Sequence, residues 1–208
     1  RAIQGRAPYR IVNEGELTAK ITGSNGLHVD NQGTLNALAG SGLGDVNNDA
    51  GAVLSISGAV SANTVTNCGE STDGQPPRQA VVRIGEDSSL QALGFRGAEG
   101  RLEIENKGSF TAHGGFRLGD VNNQGTLSIA DGKVTAAGIL SSGAMSVAGG
   151  AELTAGILQT GAGATLTNGG TVNAQLSNHV EDKSRFVNSG TLNVTARQGQ
   201  ASDLGRLT

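Results

Sequence analysis

The sequence predicts an all-β fold, a β-solenoid in which parallel coils of about 18–20 residues stack into a rod. Three observations carry that expectation: the tripeptide Asn-x-Gly recurs, its glycines keep a near-constant spacing, and a short alternating apolar stretch follows most of them. Helices should be nearly absent, because no segment places apolar residues at i, i+3, i+4 and i+7.

The repeated corners are Asn13-Glu-Gly15, Asn31-Gln-Gly33, Asn67-Cys-Gly69, Asn106-Lys-Gly108, Asn123-Gln-Gly125, Asn168-Gly-Gly170 and Asn188-Ser-Gly190. Gly15, Gly33, Gly51 and Gly69 stand 18 apart; Gly108, Gly125 and Gly143 are spaced 17 and 18; Gly170 and Gly190 are 20 apart. After the glycines, "GELTAKI" sets Leu17, Ala19 and Ile21 on one face, "GTLSIA" sets Leu127 and Ile129, and "GTLNVTA" sets Leu192, Val194 and Ala196. The pairs Leu54/Ile56, Leu102/Ile104, Phe110/Ala112 and Met145/Val147 follow the same rule. Such alternation marks a half-buried strand. Two or three strands of four to six residues per coil would be joined at corners where Asn and Gly accept positive φ. Coils stacked at about 4.8 Å would bring Leu, Val, Ile and Ala into inward columns and corner amides into ladders. Eleven such coils give a rod of roughly 50 Å.

The hexapeptide "LGDVNN" occurs at Leu43–Asn48 and again at Leu118–Asn123, 75 positions apart. Four coils of just under 19 residues would place both copies at one corner, four rungs apart. Two stretches break the rhythm, "ESTDGQPPRQ" (Glu70–Gln79) and "GFRGAEG" (Gly94–Gly100). Proline cannot donate to a ladder, so both are expected to bulge as loops from one continuous solenoid spanning residues 1–208. The plain reading is tolerated surface insertion. A specific binding site would use loop residues such as Pro76, Pro77, Arg78, Phe95 and Arg96, since loops on a rigid scaffold carry recognition.

Composition narrows the function classes. Apolar residues are 36% of the chain and aromatics 2%, with 34 glycines and no tryptophan, which excludes most enzymes with aromatic-lined pockets. Charged residues are 16%, below the roughly 25% usual in globular domains, yet apolar residues are spread evenly and only 3 prolines occur, so the composition is not that of a disordered chain. A net charge of −3 with no uncompensated basic patch argues against nucleic acid. No apolar run reaches the roughly 18 residues of a membrane-spanning helix. The chain opens on Arg1 and stops mid-pattern at "DLGRLT", so it reads as a segment of something longer. Cys68 has no internal disulfide partner, and a tolerated turn residue is its plainer role than a reactive thiol.

Chemistry-bearing patterns are few. Asp120, Asn122, Gln124, Gly125 and Asp131 match positions 1, 3, 5, 6 and 12 of a calcium loop, but Asp replaces the final Glu and no helix follows. The first copy has Ala50 and Ile56 at two of those positions, so no metal site is expected. "RIGED" and "RLGD" should point Arg83 and Arg117 outward, where Arg83, Glu86, Arg117 and Asp120 would form a surface ion-pair ladder on nearby coils. The catalytic alternative is a carboxylate pair for glycoside cleavage, using Glu86, Asp87 and Asp120 with the arginines beside them. It lacks aromatic sugar platforms, since Phe110 and Phe116 are expected inside. His28, His113 and His179 share no metal-ligand spacing. No cofactor motif is present; "GSGLG" precedes no helix.

The stretch "GKVTAAGILSSGAMSVAGGAELTAGILQTGAGATLTNGGTVNA" (Gly132–Ala174), with its "LxNxGT" corners, resembles the haemagglutinin-type repeats of filamentous-haemagglutinin-like exoproteins of two-partner secretion. It covers residues 106–196 closely and the first hundred loosely; an autotransporter passenger is the second choice. The resemblance implies a single-stranded right-handed parallel β-helix, export through an outer-membrane transporter, and a secreted or bacterial cell-surface location. It implies a non-catalytic adhesive shaft that attaches to a receptor or glycan on host or neighbouring cells. No "NPNL"-like motif is present, which points to shaft rather than amino-terminal cap. The alternatives are a carbohydrate-binding or polysaccharide-cleaving β-helix and a self-associating surface passenger.

Overall fold

A computed structural model describes residues 2–4, 9–22, 26–67, 80–97, 102–178 and 184–195. Among them the chain is built of 22 short strands and turns, with no helix. The strands pair in parallel, each with strands one coil below and one coil above. The protein is a β-solenoid with roughly 19 residues to the coil, stacking ten segments on its first face and nine on its second. That is fewer than the eleven expected, because the described residues stop short of both ends and two coils are long. Val65 stacks under Phe95 and Arg96 under Arg117, steps of 30 and 21 residues.

Three faces wind about one core. The first stacks Tyr9–Asn13, Leu27–Asn31, Asp45–Asn48 and residues 64–67 and 94–97, then passes from Arg96 to Arg117 and on through 133–136, 152–155, 171–174 and Thr191–Val194. The second stacks residues 16–19, Thr34–Ala37, Val53–Ile56, Ala80–Ile84, Leu102–Asn106, and residues 120–123, 138–141, 157–160 and 175–178. The third runs from residues 20–22 through Ser41–Gly42, residues 59–62 and 89–92, Ser109–Ala112, Thr126–Ile129, Ala144–Val147 and Thr165–Asn168 to Arg185–Asn188. Period-two alternation then has its expected effect. Val29, Val46 and Val65 line the first face inside, Leu35, Leu54, Val82 and Ile104 the second, and Leu90, Phe110, Leu127 and Met145 the third, all buried. Each such side chain contributes about 1.5–3 kcal/mol by leaving water. Phe95, Phe110 and Phe116 meet with ring centroids 5.7–6.5 Å apart, filling the core beside the long coils.

The corner asparagines point inward and stack, as expected. Nδ2 of Asn13 donates to Oδ1 of Asn31 (2.7 Å) and to the carbonyl of Thr34 (2.9 Å). Asn31 repeats the pair on Asn48 (2.7 Å) and Val53 (2.9 Å). One coil therefore satisfies both amide protons with groups of the next. The ladder is not a single column, however. Asn13, Asn31, Asn48 and Asn67 end strands of the first face, Asn106 and Asn123 end strands of the second, and Asn168 and Asn188 end strands of the third. The motif migrates from corner to corner as the rod is climbed. Where a column begins or breaks, an acceptor is left over: among the described residues Oδ1 of Asn67 and Oδ1 of Asn106 are buried without a partner.

This migration corrects the reading of the duplicated hexapeptide. Asn47 stacks under Thr66, Thr66 under Arg96 and Arg96 under Arg117, all on the first face. Asp120 and Asn122 stack instead on Glu103 and Glu105, on the second. The two copies occupy different faces because the long coils absorb residues that four regular coils would have used. "GFRG" is likewise not a loop: Gly94 to Gly97 pair with Thr64 to Asn67 inside the sheet. Residues 98–100, and the whole of Glu70–Gln79 with Cys68 and Gly69, lie outside the described residues.

Contrary to the expectation from turn chemistry, the described Asn-x-Gly glycines do not adopt positive φ. Left-handed backbone falls on other glycines, among them Gly40, Gly58, Gly115 and Gly150. What the corner demands is closeness. A Cβ on Gly33 would lie 2.1 Å from the Gly15 carbonyl oxygen, and one on Gly125 2.1 Å from that of Gly108. The same turn carbonyls accept the next coil's N–H groups, Thr34 to Gly15 at 2.7 Å and Thr126 to Gly108 at 2.7 Å. Stacked turns at hydrogen-bonding distance leave no room for a methyl. Gly125→Ala is therefore expected to destabilise the rod by about 2–4 kcal/mol. Gly15→Ala, where a Cβ would meet nothing within 4 Å, should shift stability by less than about 0.5 kcal/mol. Denaturant unfolding followed by circular dichroism compares the two; equal effects would refute the steric account.

Candidate functional site

Because inward positions are filled by the core, any site must be written in the outward columns or the corners. On the second face Asp120, Gly138, Ile157 and Gln175 follow one another in one outward column, and Glu105, Asn122, Leu140 and Gln159, above Arg83, in its neighbour. Their middle part forms an open groove of about 490 Å³, lined by Asp120, Asn122, Gly138, Leu140, Ile157 and Gln159 together with the backbone of the core strands. Gly138 makes the notch. A Cβ there would come within 2.9 Å of Oδ1 of Asp120, so the carboxylate leans over the missing side chain. Leu140 and Ile157 are 43% and 45% exposed, unusual for aliphatic residues in a sheet otherwise sorted by alternation.

Those two apolar residues escaped the sequence reading, although a signal was present. "GIL" occurs at Gly138–Leu140 and again at Gly156–Leu158. Two adjacent aliphatic residues in a strand cannot both face inward. Gly138 stacks with Ile157, Ile139 with Leu158 and Leu140 with Gln159, so the outward residue is the second aliphatic in one coil and the first in the next. Gly156 is the extra residue where the register slips against the strand above, between Ala155 and Ile157.

The residues singled out from sequence are dispersed rather than gathered. Arg83 is exposed on the second face and pairs with Glu105 of the next coil at 2.5 Å. Glu86 and Asp87 lie exposed at the corner after Arg83, two rungs below Asp120 and past the end of its face. Arg117 stands on the first face, directly above Arg96. The expected ladder of Arg83, Glu86, Arg117 and Asp120 therefore does not form, because the corner at Gly119 separates Arg117 from Asp120. Phe95, expected in a binding loop, is 1% exposed and belongs to the core. Pro76, Pro77 and Arg78 lie outside the described residues. The calcium-loop match is dissolved by the same geometry: Asp120 and Asn122 face outward on the second face, whereas Asp131 sits beyond the third. Among the described residues no three His, Cys, Asp or Glu side chains converge as a metal site.

Two polar clusters brace the surface. Near the first rungs Asp30 is almost covered, accepting from Nε of Arg10 and from Nδ2 of Asn47 (3.1 Å), with Nε2 of His28 at 3.1 Å. Burial alone would raise the Asp30 carboxyl. The hydrogen bonds from Arg10 and Asn47 and the charges of His28 and Arg10 outweigh it, holding the group below its ordinary range. At another corner Asp131 meets Nδ1 of His113 (2.8 Å) and the N–H of Gly114 (2.8 Å), and these bonds lower its carboxyl despite slight desolvation.

No protein-family model, curated protein or solved structure matches this chain significantly.

A folded carboxyl held below its unfolded value stabilises the fold above the unfolded pKa near 3.8 and loses that contribution as pH falls through the lower folded value. Asp30→Asn should accordingly cost about 1 kcal/mol near neutrality, discounted because Arg10 is largely exposed. The gap between variant and wild type should close on acidification below pH 4, roughly the unfolded value. Paired denaturation curves across that range check it; a gap that widens in acid would contradict the assignment.

Proposed function

We propose that this chain is a shaft segment of a bacterial secreted or surface-exposed filamentous adhesin, holding binding faces away from the cell and attaching to a receptor or glycan on host or neighbouring cells. The observation that carries the proposal is the coil stack itself. Ten stacked segments on the first face, at about 4.8 Å per step, extend roughly 43 Å. Its outward columns are short and polar: Thr135, Thr154, Asn173 and Asn193 follow one another on the first face, and Thr126, Ala144 and Thr165 on the third. These threonine and asparagine columns are solvated, suited to spacing and contact. The resemblance of residues 132–174 to haemagglutinin-type repeats supports the same reading and adds export through an outer-membrane transporter. Fold alone does not assign function; the adhesive role rests on pattern and geometry together.

Purified chain immobilised on beads is expected to bind cultured host cells or a glycan array saturably, above beads carrying an unrelated β-solenoid, and to release no reducing sugar from polysaccharides. Absence of saturable binding would count against adhesion. Sugar release abolished by Asp120→Asn would replace it with an enzymatic role.

A further inference from the structure

Arg96 and Arg117 are register partners on adjacent coils of the first face, both exposed. Like charges placed directly across neighbouring strands are unfavourable, and among the described residues neither arginine takes a hydrogen bond or an ion pair. In their column the next residues up are Thr135 and Thr154, too short to cover them. Asp120, on the same strand Arg117–Asn123 but around the corner, is equally unpartnered in its groove on the second face. One molecule thus shows an unrelieved cation pair on one face and an unrelieved carboxylate in an apolar groove on the next, at the same level of the rod.

We infer that the groove is a docking site for a second copy of this chain: the first face of one rod lies on the second face of its neighbour, and Arg117 of one enters the groove over Asp120 of the other. The groove fits that side chain. Leu140 and Ile157 offer aliphatic surface to the arginine stem, the Gly138 notch gives it room, and the Asp120 carboxylate with the amide oxygens of Asn122 and Gln159 accepts from the guanidinium. With the rods parallel and their rungs matched at about 4.8 Å, Arg96 lies one rung below that contact, level with Glu105, which Arg83 of the same copy already engages. The pairing of Arg117 with Asp120 is therefore self-complementary between copies. Since the two surfaces are different faces of one molecule, the contact is heterologous, and each rod both gives and receives.

Sedimentation velocity on the full chain over a micromolar to submillimolar series tests this. Wild type should associate, less so at molar salt. Arg117→Glu and Asp120→Arg should each weaken association by about tenfold or more, because each sets like charges face to face. An equimolar mixture of the two variants should associate again, since every contact between unlike copies restores an opposite-charge pair. Circular dichroism should show both variants folded; were either not, Arg117→Ala and Asp120→Asn carry the same comparison without charge reversal. Wild type that stays monomeric, variants that associate as well as wild type, or a mixture no better than its parts would each overturn the inference, as would a monomeric chain whose groove takes a basic peptide instead.

Discussion

The distance between stacked turns governs this molecule. Parallel coils must sit one strand spacing apart for the turn N–H groups of one coil to reach the turn carbonyls below, and they do so at 2.7–2.8 Å from Thr34, Thr126 and Ala144. At that separation a Cβ on the third residue of the corner would fall about 2.1 Å from a carbonyl oxygen at Gly33, Gly125 and Gly143. Glycine is thus imposed by the hydrogen-bonded stacking, not by the turn's own dihedral angles. The asparagine two residues earlier follows from the same spacing. Its side chain points into the corner, where an unpaired amide would be costly, and the next coil supplies the acceptors at the right height. Hydrophobic columns deepen the stability, but the corners fix the pitch at which those columns meet.

This explains which parts of the structure were legible in the sequence. Asn-x-Gly and period-two alternation are local, and they identified the solenoid, the inward placement of Leu54, Ile104, Phe110 and Leu127, and the amide stacking. The corner to which each Asn-x-Gly belongs is a property of accumulated register, which no local pattern records. A few extra residues between Val65 and Phe95, or between Arg96 and Arg117, move the motif onto a different face while every strand still alternates correctly. For that reason the two "LGDVNN" copies seemed to share a corner and do not. Phe95 shows the converse error: glycine-rich flanks suggested a loop, yet Gly94 and Gly97 are paired strand residues and the ring packs 5.7 Å from Phe110.

The candidate site was half legible. Asp120 could be named because an acidic residue after glycine in a strand is conspicuous; Leu140 and Ile157 could not be assigned outward without knowing which member of each "GIL" faces the core. That choice is settled by stacking, through Gly138 under Ile157 and Ile139 under Leu158. Exposure of an aliphatic side chain in such a sheet is a consequence of register rather than of composition.

Migration of the corner motif also determines how surface chemistry is distributed. Were the coils identical, each outward column would repeat one residue type along the rod and any charge would be stacked on its like. Shifting the corner breaks the columns into segments. The first face carries Arg10, His28, Asp30 and Asn47 near its start, Arg96 and Arg117 midway, and threonine and asparagine beyond. The second face changes from Arg83 and Glu105 to Leu140 within three rungs. Most of these changes are balanced within the rod: Arg83 finds Glu105, Lys133 finds Glu152 and Arg10 finds Asp30 on the coil above. Arg96, Arg117 and Asp120 have no such partner among the described residues, and they cluster on two coils beside the only exposed aliphatic pair on the second face there. At this level unpaired charge of both signs stands on adjoining faces beside exposed aliphatic side chains, and that combination gives the rod a capacity for lateral contact there.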